Sequence, residues 1–346
     1  MAINAVSRDT RIDALKGLAI VCVVLYHTLG QCLATAPQPA LYSRELLFSF
    51  MLPLFAFLSG YVLGRPGPFR ARQYFVRRTL GLMVPYLCWE IIYGLLLRQE
   101  ARHGIGRFGV YLEDTFLNPH LEGRMWYLYV LWVALMGLGV LRLFGDRTWV
   151  MVAGAVVFMI WPWWGNFHRL QWVFAYVVFG LLARRYESVY LPRIKAIGVV
   201  AAVAYVPFML ASRPEKLAVA RAERLFTGSS WPPIGATTVY GASTLAGLAA
   251  VSALVAASFW APAWFETAMA LPGRLSLGIY VTHFTVVEAF SNPSPWLVPV
   301  IASLALAVSM GATVLLGRWR VTATLLLGER WTRHSLPLGD VHTETI

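Results

Sequence analysis

Residues 11–33 read RIDALKGLAIVCVVLYHTLGQCL. Arg11, Asp13 and Lys16 crowd the start, and a long apolar run follows, broken by His27. Crossing the hydrocarbon core of a bilayer takes about 20 such residues, so the stretch reads as a transmembrane helix with a charged mouth. Lys16 and His27 are eleven residues apart, which is three helical turns. They therefore share one face, about 16 Å apart along the axis. This face reads as the wall of a conduit, with a cation suited to phosphates at one end and an imidazole suited to chemistry at the other.

The rest of the chain fits that reading. It has 346 residues, 58% hydrophobic and 13% charged. A soluble chain of this length carries about twice that charged fraction. The charges are missing from whole runs, as in a polytopic membrane protein. The net charge of +12 would also suit a nucleic-acid binder, but Arg and Lys in a membrane protein mark cytosolic loops, and no nucleic-acid partner is expected. Cys22, Cys32 and Cys88 lie in or beside apolar spans without metal-site spacing and read as packing residues. Ala34-Thr35-Ala36 resembles a signal-peptidase site, but the preceding run is long for a signal peptide and holds His27, so it reads as a retained span.

The expected fold is all-α, a single membrane domain over 1–346 with about ten transmembrane helices. The spans fall near 14–34, 46–63, 79–97, 126–144, 149–161, 169–183, 194–211, 237–258, 276–290 and 296–316. Most of the 29 Lys and Arg residues then lie on one side, which places both termini in the cytosol. Two longer loops, about 98–125 and 212–236, face outward, and the tail after Arg320 reads as polar and cytosolic.

Polar side chains at bilayer depth are costly and ask for an explanation. Of seven histidines only His27 and His283 fall inside spans, and of seventeen acids only Glu90 and Glu288. A neutral imidazole can act as a general base toward a hydroxyl; it can also simply bond helix to helix. Ser276, Tyr280 and His283 repeat at helical spacing, so hydroxyl, phenol and imidazole share a stripe. Glu90 suits a catalytic or a structural part equally. Arg70, Arg72, Arg77 and Arg78 lead into the third span, where arginine pairs suit phosphate oxygens as well as topology. Ser59-Gly60 permits close helix approach. Trp126 and Tyr127 suit an interfacial belt or a platform for sugar rings.

These phrases together resemble the acyltransferase-3 family of integral membrane acyltransferases. Asp13-Ala-Leu-Lys16-Gly17 through His27 is similar to the family's opening helix, with Lys where Arg is usual. PLFAFLSGY, Phe75-Val-Arg77-Arg78 with Pro85-Tyr-Leu, Met125-Trp126-Tyr127-Leu128 and Gly278-Ile-Tyr280-Val-Thr-His283 are similar to its later phrases, in order. Gly81 stands where the family often carries another Arg. The resemblance implies an inner-membrane O-acetyltransferase with no tightly bound cofactor. Acetyl-CoA is the co-substrate, met from the cytosol, and a hydroxyl of an exopolysaccharide or other surface glycan is the acceptor. Lys16, Arg77 and Arg78 would hold the phosphates, with Asp13 beside them at the cofactor-binding mouth and the pantetheine threading toward His27. His27, His283, Tyr280 and Glu90 would act at the acyl group, and Trp126 and Tyr127 would meet the carbohydrate. Three other readings stand beside it: a proton-coupled transporter or flippase, a structural subunit of a glycan-assembly complex, and a succinyl or longer acyl donor within the same family.

Overall fold

The computed structural model describes residues 9–32, 38–65, 67–96, 124–160, 168–212, 234–290 and 293–329. Every regular element among these is helical. In order they are α1 (Thr10–Cys32), α2 (Gln38–Leu63), α3 (Ala71–Arg78), α4 (Val84–Leu96), α5 (Trp126–Leu143), α6 (Thr148–Ile160) and α7 (His168–Arg185). After these come α8 (Glu187–Tyr190), α9 (Ile194–Ala211), α10 (Ile234–Ala257), α11 (Ala263–Arg274), α12 (Ser276–Val287), α13 (Val298–Gly317) and α14 (Arg320–Leu327). A π-helical turn, Thr79–Met83, joins α3 to α4.

Six helical stretches among the described residues are long and apolar enough to cross a membrane: Thr10–Cys32, Tyr42–Leu63, Trp126–Leu143, Glu187–Ala211, Gly241–Trp260 and Pro295–Gly317. The chain is a multi-pass helical membrane protein. Two of the other expected spans are short. The expected fifth span is α6, 13 residues, and the expected ninth is α12, 12 residues. At 1.5 Å per residue each reaches only about 20 Å, short of the hydrocarbon thickness. The expected outer loops fall almost wholly outside the described residues.

Three elements depart from expectation. Helix α2 begins at Gln38, two turns before the expected start. Residues 263–274, left between spans, form α11, which packs along the first half of α1. The chain after Arg320 begins not as a polar tail but as the helix α14, which closes on Gly328 in the left-handed conformation. That helix docks on α4 and α13, and the Trp89 indole N–H donates to the Leu326 carbonyl at 2.9 Å.

The bundle is held by close backbone crossings. A Cβ on Gly60 or on Gly180 would strike the carbonyl oxygen of Val177 or of Phe57, so α2 and α7 touch through reciprocal glycines. Gly17 and Gly273 do the same between α1 and α11, against Met269 and Asp13. Without water to expel between helices in lipid, such backbone approach is how helices gain dispersion energy. Helix α1 sits at the centre, packed on α2, α11, α12 and α13. This brings its His27 end against α12.

Candidate active site

His27 lies in the last turns of α1, half-buried. His283 lies on α12 and is 0% exposed. Their ring centroids are 5.2 Å apart. Phe284 closes on both, 4.4 Å from His27 and 4.3 Å from His283. Two histidines far apart in the chain thus meet because α1 and α12 pack together.

The tautomer of His283 follows from its partners. Its Nδ1 lies 2.8 Å from the Tyr280 carbonyl oxygen and 3.1 Å from that of Ile279. A carbonyl only accepts, so Nδ1 carries the hydrogen and donates. Nε2 then holds the lone pair, buried and without a hydrogen-bond partner in the structure. A buried acceptor left unmet costs free energy, and a basic nitrogen held in one orientation is what proton transfer needs.

Glu90 is fully buried. Its Oε1 accepts a hydrogen bond from the Met125 backbone N–H at 2.9 Å. Met125 is the residue before α5, so Glu90 caps that helix, where the helix dipole favours a negative group. The cap fixes Trp126 and Tyr127. Of those two, Tyr127 is buried and donates to the Leu52 carbonyl at 3.0 Å. Its ring lies 6.2 Å from Tyr280, which is also buried and 6.1 Å from His283. Trp126 is the more exposed of the pair and lies 6.4 Å from Trp172. Trp172 meets Phe48, Phe48 meets Tyr26, and Tyr26 meets His27 edge-on at 5.1 Å. This aromatic chain forms one side of the His27 neighbourhood.

Several of these residues escape sequence reading. Arg124 forms an ion pair with Glu288, tying the start of α5 to the end of α12, and stacks over Tyr93. Tyr93 donates to the Val281 carbonyl at 2.7 Å and so holds the His283 helix against α4. Arg44, on α2, lies with its guanidinium carbon 4.5 Å from the centre of the Tyr26 ring. In the sequence Arg44 falls just before the expected second span, 46–63, where an arginine attracts no notice.

The basic residues do not gather as closely as the histidines. Lys16 is half-buried on α1. Arg77 and Arg78 end α3, which packs on α5, while α1 packs on α2, α11, α12 and α13. Asp13 is 5% exposed and its backbone carbonyl lies against Gly273 of α11, so it supports the wall from behind. The face that Lys16 and His27 share is closed between them. Ile20 and Val23, which lie between Lys16 and His27 on the same stripe, are 0% and 1% exposed within the apolar core. Large aliphatic side chains at those turns meet neighbouring helices, and the stripe is closed.

No group of three or more His, Cys, Asp or Glu side chains among the described residues is placed to hold a metal ion. No curated protein and no solved structure matches the chain. The family model described as an acyltransferase domain does match, over residues 9–318 of 346. That span contains the paired histidines, the capped entry to α5 and the basic end of α3, and the chain belongs to the acyltransferase-3 family.

Proposed function

We propose that this acyltransferase moves an acetyl group from cytosolic acetyl-CoA to a hydroxyl of a surface glycan on the far side of a bacterial inner membrane. The chain then crosses about ten times with both termini in the cytosol, α4, α6, α7 and α12 completing the bundle beside the six long spans. The observation that carries the reading is the His27–His283 pair, one imidazole half-buried and the other fixed with a bare Nε2.

In this reading the acceptor hydroxyl gives its proton to His27 as its oxygen attacks the thioester carbonyl carbon. The carbon–sulfur bond then breaks, and the CoA thiolate takes the proton back from the imidazolium. His283 offers a second basic nitrogen beside the first and steadies the imidazolium while it lasts. Tyr280 packs against His283, and Glu90 acts by holding α5 in place. Lys16, Arg77 and Arg78 receive the CoA phosphates at the cytosolic side, with Asp13 supporting Lys16's helix from behind. Trp126 offers a face to the sugar, and Tyr127 braces it from the core. Because Ile20 and Val23 close the stripe, the pantetheine enters as α1 parts from a neighbour. Mass spectrometry of surface glycan from a strain lacking the protein tests the reading. Loss of one acetyl per repeat, restored by the wild type and not by His27→Ala, is the expected result; unchanged acetylation rejects it.

A further inference from the structure

One charge beside the paired histidines takes no part in the proposed transfer. Arg44 is half-buried and lies at the start of the candidate span Tyr42–Leu63. The arginines at 124, 142, 184 and 185 each meet a carboxylate, on Glu288, Asp146, Glu187 and Asp146 respectively. Arg44 meets none among the described residues. Its contact is the face of Tyr26, and its Nε is buried with no hydrogen-bond partner. Tyr26 in turn sits edge-on to His27 at 5.1 Å, and the charge of Arg44 is near enough to act on His27. A cation stacked on an aromatic face keeps the rest of its donor fork for a ligand. The ligand chemistry that fits is a planar or tetrahedral oxyanion.

We propose that Arg44 recognises the acceptor, and that the acceptor glycan carries an acidic group, a carboxylate or a phosphate, close to the hydroxyl that is acylated. The proposal rests on His27 as the place of transfer. It adds that the sugar must be charged, and it makes Arg44 a specificity residue rather than a participant in proton transfer. A neutral glycan would leave the buried Nε unmet, which is how a buried polar group rejects an analogue lacking its partner.

The test uses the full-length protein in proteoliposomes with radiolabelled acetyl-CoA. The acceptor is surface glycan of the producing strain, freed of its acetyl esters by mild alkali. It is offered in three forms: untreated, carboxyl-reduced, and stripped of phosphate. The expected result is that wild-type kcat/KM for glycan falls about 10–100-fold on one of the two neutralised forms, as for loss of a charged hydrogen bond. The form that fails tells carboxylate from phosphate. R44Q falls by a similar factor on untreated glycan, mainly in KM for glycan, with KM for acetyl-CoA unchanged. It falls no further on the neutralised form, and R44K recovers part of the loss. A merely structural Arg44 would lower activity equally on charged and neutral glycan, and that result overturns the proposal. So does a wild type indifferent to both treatments, a measurement that needs no variant to fold. Vigorous transfer to all three forms removes the acidic acceptor and leaves the acetyltransferase reading standing; label in none of them removes both.

Discussion

At the level of single residues, the proposed mechanism separates groups that touch chemistry from groups that hold them. His27 is the half-buried member of the pair. Replacing it with Ala should lower kcat by about 10²–10⁴, the range for loss of a general base. Unchanged detergent elution and melting would show that folding is intact, and activity within a few-fold of wild type would remove His27 from the mechanism. Glu90 makes the opposite case. It accepts from the Met125 N–H, and a glutamine oxygen accepts as well as a carboxylate oxygen. Glu90→Gln should therefore retain most activity. Glu90→Ala should destabilise by about 1–3 kcal/mol, the cost of a buried donor left unmet, and should disturb the Trp126 face. A dead but well-folded Glu90→Gln would make the carboxylate catalytic. The sequence pointed to both histidines and to Glu90 because polar residues in lipid stand out by composition. It did not distinguish their parts, because a cap and a base are the same letter until the partner atom is known. The burial of Tyr127 was hidden for the same reason, since an aromatic residue opening a span reads as an interfacial one.

At the level of elements, the long spans and the short α6 and α12 were legible, while α11 and α14 were not. A run of about 20 apolar residues has one reading. Helix α11 has Glu266, Pro272, Gly273 and Arg274 in twelve residues, and by pattern it reads as a loop. Its partner supplies what its own sequence lacks: Gly17 and Gly273 let the two backbones meet. Helix α14 was missed because its eight residues carry too little periodicity to separate them from a polar tail. The glycine crossings give a direct comparison. Gly60→Ala puts a methyl group into the Val177 backbone, which cannot step aside as a flexible side chain can. It should cost about 1–3 kcal/mol, the usual range for overpacking, and lower the melting temperature by several degrees. Gly311 lies in α13, and a Cβ added there would meet nothing within 4 Å. Gly311→Ala should be neutral or stabilising by up to about 1 kcal/mol, the helix-propensity difference. Equal melting temperatures for the two variants would mean that the α2–α7 crossing is not a close backbone contact.

At the level of the whole molecule, the proposed reaction has two substrates of opposite habit: a large charged thioester in the cytosol and a carbohydrate on the other side. One open passage joining both would leak ions, so the closed stripe between Lys16 and His27 has a physical use. Ile20 and Val23 are packed in the core, and on the proposed reading the donor enters by displacing them. Prying an apolar contact apart costs about 25 cal/mol for each Å² exposed, a sum that the bound phosphates and the pantetheine must offset. The consequence is measurable at Val23. In a background with Cys22, Cys32 and Cys88 replaced by Ala, Val23→Cys should resist a methanethiosulfonate reagent in the resting protein. Saturating desulfo-CoA, which occupies the donor path without reacting, should raise the labelling rate at least about tenfold if a closed state gives way to a populated open one. Labelling equally fast with and without the analogue would mean that the stripe is already open. Protection unchanged at saturation would place the donor path along another face of α1.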